Sequence, residues 1–538
     1  MRVKLETDVL VIGSGGAGMY AAIAAARKGA SVLLVDRSLI GRGGATVMAQ
    51  MTVAVAVGEE EPDHWEHHLA DTLKAGRGLC DENLSRLLCE DGPACIREMD
   101  EWGIGWARRD GHMAQVHAPG HDRKRCVYVD FLNTGPAVSK TLRARVQRIP
   151  EIRRAGDLLI TDVALRDGVC VGALALHIPT GNAVGVSAKA TIIATGGLTR
   201  LYARNSASLN MGGDGYALAL RAGAELIDME FVQFFPIGHL APRLVGMDPI
   251  MWDPFRYKLG GRLLNAQMKE FLPEEGRYVS ARDVATYAIL KEVAEGRGSP
   301  HGGAWLSFQH CSEATLRGAF GPVMDRLATN GIDLTRQPIE VAPIAHYHMG
   351  GIRVDTDMRT SVPHLFAAGE AVGGANGANR LSGNAITEAV TFGRRAGLRA
   401  AELAATSKLA AVPEGRFAGS KPKLNPAAAI VELQKVMNTE VGPLRTQAGL
   451  ERALEHITST KFDLPPPRHG LDPEWLDLHD FRNMRLVAEC VTRAALARTE
   501  SRGAHQRQDF AETSDAWSKH QSIRLVGGQA QLDSVPGT

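Results

Sequence analysis

The sequence predicts an α/β protein in which a Rossmann-like dinucleotide-binding domain is interrupted by an α+β insertion and followed by a C-terminal helical domain. Three observations predict it. The apolar run Asp8-Val9-Leu10-Val11-Ile12 ends in Gly13-Ser14-Gly15-Gly16-Ala17-Gly18 and opens an alanine-rich stretch, Met19 to Arg27. A second apolar run, Ala190-Thr191-Ile192-Ile193-Ala194, ends in Thr195-Gly196-Gly197 far along the chain. Between residues 231 and 345 this strand-glycine-helix rhythm disappears, and it resumes at Leu365-Phe366-Ala367-Ala368-Gly369-Glu370.

The first run is apolar at nearly every position, as a parallel strand buried on both faces requires. Met19 to Arg27 reads as a helix and Ser31 to Val35 as the next strand, which completes a β-α-β unit. Residues 157–189 carry turn signals at Asp167-Gly168 and Thr180-Gly181-Asn182 and read as a β-meander. Past Pro413, the patterns Ala427 to Met437 and Leu478 to Ala497 are helical. The expected organisation is therefore a cofactor-binding domain over 1–230 and 346–410, a capping domain over 231–345, and a C-terminal helical domain over 411–538.

Composition narrows the function classes. With 61 Lys+Arg against 60 Asp+Glu, the formal charge is +1, which supplies no field for gathering nucleic acid or anionic membrane. Seven cysteines without a Cys-x-x-Cys pair fit reduced thiols in a cytoplasmic protein and provide no recognisable iron-sulfur or other metal site. Met1 to Thr7 is too short and polar for a secretory leader, and no run of 18 apolar residues suggests membrane insertion.

The glycine loop follows a buried strand, opens a helix and is answered by Asp36 at the end of the next strand. In that context Gly13 permits the tight turn, Gly15 and Gly16 let amides approach a pyrophosphate, and Ala17 and Gly18 begin a helix packed closely on the strand. Asp36 suits ribose hydroxyls. Further glycine-rich or glycine-acid elements, Arg42-Gly43-Gly44-Ala45-Thr46, Thr195-Gly196-Gly197, Gly212-Gly213-Asp214-Gly215 and Gly369-Glu370, argue for the longer dinucleotide FAD rather than NAD.

The order of these elements, with Met229 to Pro236, Ala281-Arg282-Asp283-Val284, His346-Tyr347-His348-Met349-Gly350-Gly351, Gly377-Ala378-Asn379-Arg380-Leu381-Ser382-Gly383-Asn384 and Glu500 to His505, resembles the succinate dehydrogenase/fumarate reductase flavoprotein family, which includes L-aspartate oxidase. The resemblance spans nearly the whole chain. It implies FAD, a capping domain, and hydride exchange at flavin N5 with a carbon next to a carboxylate. It adds Arg37, Gly43, Gly44, Thr46, Thr195, Gly196, Asp214, Glu370 and Arg380 to the expected cofactor contacts, and Asn384, Ala385 and Ile386 as the start of a helix facing the flavin N1/O2 edge.

The resemblance also implies catalytic roles. Arg282 matches the proton donor, with Asp253 and Arg256 as a carboxylate-arginine relay; without the motif, Arg282 reads as a surface helix cap. His346 and Arg380 match the residues that clamp one substrate carboxylate, chemistry suited to an imidazole and a bidentate guanidinium. His348 reads more simply as a structural strand residue.

Two departures stand out. The family's flavin-bearing histidine has no counterpart in Ser38-Leu39-Ile40-Gly41-Arg42-Gly43-Gly44, so non-covalent FAD is expected. The His-Pro-Thr that binds a second carboxylate is Phe235-Pro236-Ile237 here, and Trp252 or Asp253 falls where a threonine assists it. Burying an unpaired carboxylate against Phe235, Ile237 and Trp252 is costly, so the expected substrate is an α,β-unsaturated acid with one carboxylate and an apolar or uncharged far end. Replacement of the lost contacts by Arg243 or His239 would instead restore a dicarboxylate site. The alternatives are an oxidase of amino or hydroxy acids like L-aspartate oxidase, and a flavoprotein that works with a separate iron-sulfur protein.

Overall fold

The computed structural model describes residues 3–130, 132–242, 244, 251–252, 259–272, 282–321, 323–414, 419–420, 422–460, 462 and 464–536. The chain divides into two compact units, one of Met1–Ala203, Ala207–Val232 and Tyr347–Thr538, the other of Arg204–Ser206 and Gln233–His346.

The first unit is built on a seven-stranded sheet. Its strands run in the order Ile152–Ala155, Val32–Val35, Val3–Ile12, Asn182–Ile193, Val169–His177 and Leu158–Arg166, with Leu365–Ala367 also paired to Asn182–Ile193. Val3–Ile12 lies parallel to Val32–Val35 and to Asn182–Ile193. Val9 to Val11 and Val32 are completely buried, which explains their unbroken apolar run.

Two strands exceed their sequence signal. The first begins at Val3 rather than Asp8, because Val3 to Thr7 pair with the buried Val184 to Ala188 while Val3, Lys4 and Glu6 themselves stay exposed and so break the apolar pattern. Asn182–Ile193 is one strand of 12 residues, antiparallel to Val169–His177 at its start and parallel to the first strand along its length. Its first half closes the β-meander expected over 157–189, and its apolar C-terminal half falls in the run Ala190 to Ala194.

The helices Gly16–Arg27 and Asn384–Thr406 pack backbone to backbone. A Cβ at Gly393 would stand 2.4 Å from the Ala17 carbonyl oxygen, and one at Gly397 2.2 Å from that of Ala21. This close approach fixes two helix N-termini, at Gly16 and Asn384, on the same framework.

The C-terminal segment supplies the helices Pro426–Glu440, Gln447–Ser459 and Pro473–Ala497. It adds the hairpin Lys519–Val526/Gln529–Pro536, whose first strand pairs with Leu226–Ile227. The hairpin escaped the helical expectation because its buried stretch is polar: His520 is held by Asp228 at 2.5 Å, and Gln521 donates to Glu230 at 2.8 Å.

The second unit carries a four-stranded sheet in the order Val232–Ala241, Ile339–His348, Ala304–Ser307, Arg262–Leu264, with helices Arg282–Ala294, Glu313–Phe320 and Val323–Thr329. An aromatic cluster of Trp252, Phe308 and Phe320, with ring centroids 5.7 to 6.2 Å apart, fills its core.

Candidate active site

In the first unit the glycine loop is shaped by contacts no larger residue could make. A Cβ at Gly18 would lie 1.9 Å from the Gly13 carbonyl oxygen, and Gly13, at φ +101°, abuts Ala194 of the neighbouring strand. Gly15 caps the helix Gly16–Arg27 without a side-chain hydrogen bond, and no acid occupies the first turn. The Gly16 amide donates to the Thr46 hydroxyl at 3.0 Å. The loop holding Gly43 and Gly44 is tied down in turn: Gly44 donates to Ser208 Oγ at 2.8 Å, and Asn210 donates to Ser38 Oγ at 2.9 Å.

Asp36 is oriented by four hydrogen bonds. The Ser14 amide and hydroxyl donate to its Oδ2 at 2.9 and 2.6 Å, and the Ser38 amide and hydroxyl donate to Oδ1 at 2.8 and 2.9 Å. Ser14, fully buried, also accepts from the Gly41 amide at 2.8 Å. A serine inside the glycine motif carried no signal of this role.

Arg37 and Asp214, both expected at the cofactor, are joined to each other at 3.1 Å and to the C-terminal helix. Asp480 accepts from Arg37 at 2.7 Å and from Arg200 at 2.5 Å, and these guanidiniums hold its carboxyl far below the usual range against the opposing effect of burial. Asp214 also accepts from Asn483 at 2.9 Å. Asp214, His479 and Asp480 have metal-ligand atoms within 4.8 Å of one another, but the two guanidiniums already meet the charge of that group.

A buried polar cluster surrounds Arg380. Its guanidinium carbon stands 4.3 Å from the centre of the Tyr347 ring, and its Nη1 donates to the Leu381 carbonyl at 3.3 Å. Glu370 accepts from the His348 amide at 3.1 Å, and burial pushes its carboxyl up to about 8. Glu388 accepts from the Tyr347 hydroxyl and from Asn376 Nδ2, the latter at 2.6 Å; burial pushes it up to about 7. Asn384 opens the helix Asn384–Thr406 behind Gly383, which again makes no side-chain cap. Its amide faces His68 Nε2 at 2.8 Å and donates to Thr72 at 3.1 Å. Ile386 is buried on this helix, and Ala385 packs beside Leu79, Phe231 and Tyr347. His348 bridges the Tyr216 hydroxyl and the Met229 carbonyl, a structural arrangement. Glu388, Asn376 and His68 were not expected; the i, i+4 spacing of Asn384 and Glu388 was the one available sign that they share a face.

The donor set fits a dinucleotide. The helices at Gly16 and Asn384 start without a side-chain cap or a first-turn acid, the arrangement that receives phosphate or other negative charge, whereas the helix at Asp214 places its own carboxylate at its N-terminus. The buried Thr195 hydroxyl beside Gly196 has no hydrogen-bond partner among the described residues.

In the second unit, His346 Nδ1 lies 2.7 Å from Ser206 Oγ, and the Phe235 ring meets the imidazole edge to face at 5.4 Å. Phe235 and Ile237 are fully buried. Trp252 is fully buried too, and its Nε1 donates to His239 Nδ1 at 3.2 Å. Arg282 is the first residue of the helix Arg282–Ala294. Asp253, Arg256 and Arg243 lie outside the described residues.

Fold and cradle together define a dinucleotide-binding flavoprotein. A family profile described as FAD binding domain matches residues 8–386, and one described as fumarate reductase flavoprotein C-term matches 431–535. The chain is 35% identical to a component of the CoM/CoB fumarate reductase of Methanothermobacter marburgensis over 96% of each chain. It is 33% identical to the L-aspartate oxidase of Streptomyces coelicolor over 97% of this chain and 92% of that one. Among solved structures, Mycobacterium smegmatis Sdh1 in complex with UQ1 superposes with a TM-score of 0.88 at 34% identity, covering 100% of this chain and 95% of the other. The chain belongs to the fumarate reductase/succinate dehydrogenase flavoprotein family. It is an FAD-dependent oxidoreductase of the fumarate reductase type, a class acting on CH-CH bonds. No helix among the described residues is long and apolar enough to cross a membrane.

Proposed function

We propose that this enzyme interconverts an α,β-unsaturated monocarboxylic acid and its saturated form. The observation that carries the reading is the fully buried Phe235 ring set against His346 at 5.4 Å, with Ile237 equally buried two residues on. An apolar wall beside a carboxylate-binding imidazole selects against a second charged end, whose desolvation without a partner would cost several kcal/mol (roughly 2 to 7 for a neutral polar group and more for a charge).

Bound FAD supplies hydride exchange with the carbon β to the carboxylate. The phosphate and ribose contacts fall to Gly13 to Gly18, Asp36, Thr46 and Thr195, while Arg37 and Asp214 act by holding the cradle to the C-terminal helix. Arg380 and His346 hold and polarise the substrate carboxylate, with Ser206 fixing the imidazole orientation. Arg282 delivers a proton to the α carbon in reduction and removes it in oxidation, with Asp253 and Arg256 relaying it. Phe235, Ile237 and Trp252 shape the far end of the substrate site.

The flavin is bound non-covalently in this reading, and the seven cysteines are all free thiols. Electrons therefore pass to or from a separate iron-sulfur protein or a diffusible partner. The similarity to L-aspartate oxidase supports a second reading, oxidation of an amino or hydroxy acid with oxygen as acceptor.

Anaerobic photoreduction followed by separate addition of cinnamate, acrylate, fumarate, iminosuccinate and oxygen tests both. Rapid reoxidation by a monocarboxylic enoate but not fumarate is expected, with Phe235→His shifting preference toward fumarate. Preference of the unmodified enzyme for fumarate would overturn the monocarboxylate reading. Rapid reoxidation by oxygen alone would favour the oxidase.

A further inference from the structure

We propose that Tyr347 and Glu388 are positioning residues for Arg380, forming a buried brace that fixes its guanidinium for carboxylate recognition. The proposal rests on the reading of Arg380 as the carboxylate clamp.

The geometry is a short chain of contacts. The Tyr347 hydroxyl donates to Glu388, and the face of the same ring receives the Arg380 guanidinium at 4.3 Å. A phenol that donates a hydrogen bond gains electron density in its ring, which strengthens attraction for a cation on its face. Stacking leaves the edge of the guanidinium, where all its N–H donors lie, as the part that addresses partners in its plane. Tyr347 thus restrains the plane of the fork, and the Leu381 carbonyl restrains its rotation through Nη1.

Glu388 is itself immobilised. Asn376 donates to it at 2.6 Å, Asn384 donates to Asn376 at 3.4 Å, and His68 faces Asn384 at 2.8 Å. Glu388, Asn376, Asn384 and His68 are all at most 2% exposed, and Arg380 is 4% exposed. A buried carboxylate that serves only packing would normally be replaced by an apolar side chain, because an ionisable group in such a place is expensive unless paired. Here its partners lead through one aromatic ring to the cation with the family's carboxylate-binding motif. The brace also explains why an aromatic hydroxyl residue occupies position 347: phenylalanine would keep the ring but lose the bond to Glu388, and leucine would lose both.

The test uses FAD-loaded enzyme. Dissociation constants for cinnamate, acrylate and fumarate are read from flavin absorbance in the unmodified protein and in Arg380→Lys, Tyr347→Phe, Tyr347→Leu and Glu388→Gln variants. Steady-state kinetics use whichever acid reoxidises the flavin, and crystal structures of Tyr347→Leu and Glu388→Gln locate the guanidinium. Tyr347→Phe and Glu388→Gln are expected to weaken binding about tenfold, and Tyr347→Leu to approach Arg380→Lys, with the loss falling on KM rather than kcat. The crystal structures are expected to show Arg380 rotated out of its position. Unchanged affinity in Tyr347→Leu beside weakened Arg380→Lys would overturn the brace and leave the clamp standing. Unchanged affinity in Arg380→Lys would overturn the clamp, and the brace with it. If no acid of the panel binds, or a variant loses FAD, the guanidinium position decides alone: an unmoved Arg380 in Tyr347→Leu or Glu388→Gln overturns the brace.

Discussion

Asp480 accepts a 2.7 Å hydrogen bond from Arg37, two residues separated by 443 positions in the chain. The bond ties the residue after Asp36 to the C-terminal helix Pro473–Ala497, and Arg200 reaches the same carboxylate at 2.5 Å.

Replacing Asp480 by asparagine removes the charge shared by two largely buried guanidiniums and leaves Asp214 as the remaining carboxylate on Arg37. The expected loss is about 3 kcal/mol, because a cation stranded in a buried pair keeps its desolvation penalty. Urea denaturation of the apoprotein measures it, with a lowered midpoint at unchanged slope. A midpoint equal to that of the unmodified protein would show the triad to be structurally neutral.

Gly18→Ala places a methyl group 1.9 Å from the Gly13 carbonyl oxygen. The backbone must shift there, at a cost of about 1–3 kcal/mol, and the glycine loop loses its shape. The flavin-to-protein absorbance ratio of the purified variant should fall well below that of the unmodified enzyme; an undiminished ratio would contradict the cradle assignment.

Glu388 and Glu370 have folded pKa values raised to about 7 and about 8, mainly by burial. A raised carboxyl pKa means that the fold favours the protonated form, so this stabilisation is complete below the ordinary value of 4.5 and declines as pH rises through 7 and 8. The slope is up to about 1.4 kcal/mol per pH unit for each proton involved. Melting temperatures from pH 5 to 9 should therefore fall more steeply with pH in the unmodified protein than in Glu388→Gln. Buried His68 and His121, lowered to about 3 and about 4, act in the opposite sense on the acid side of 6.5 and leave that difference untouched. Parallel curves would mean that Glu388 does not hold its proton.

Acid or guanidinium denaturation should release the yellow colour entirely into the protein-free filtrate, since residues 38–44 contain no histidine to carry the flavin. Colour retained on the polypeptide would identify a covalent link elsewhere.

Legibility followed burial. Strands inside the sheet, such as Val9 to Ile12, showed themselves as continuous apolar runs because both faces meet hydrophobic neighbours. Val3 to Thr7 did not, because Val3, Lys4 and Glu6 are exposed there although the partners Val184 to Ala188 are buried. The hairpin at Lys519 to Pro536 stayed hidden for a different reason. Its buried His520 and Gln521 find polar partners in the fold, so burial there left no hydrophobic pattern to read.

By itself the sequence determined the glycine loop after the first strand, Asp36 after the next, the order of the glycine elements, and hence FAD and the family. These depend on local backbone geometry, which residue type constrains directly. Only the tertiary structure decided that Arg37 and Asp214 meet each other and Asp480, and that Ser14 and Ser38 orient Asp36. It also decided that Tyr347 lies between Glu388 and Arg380. Those relationships join residues distant along the chain through side chains a few ångströms long, and only the packed fold brings them within that reach.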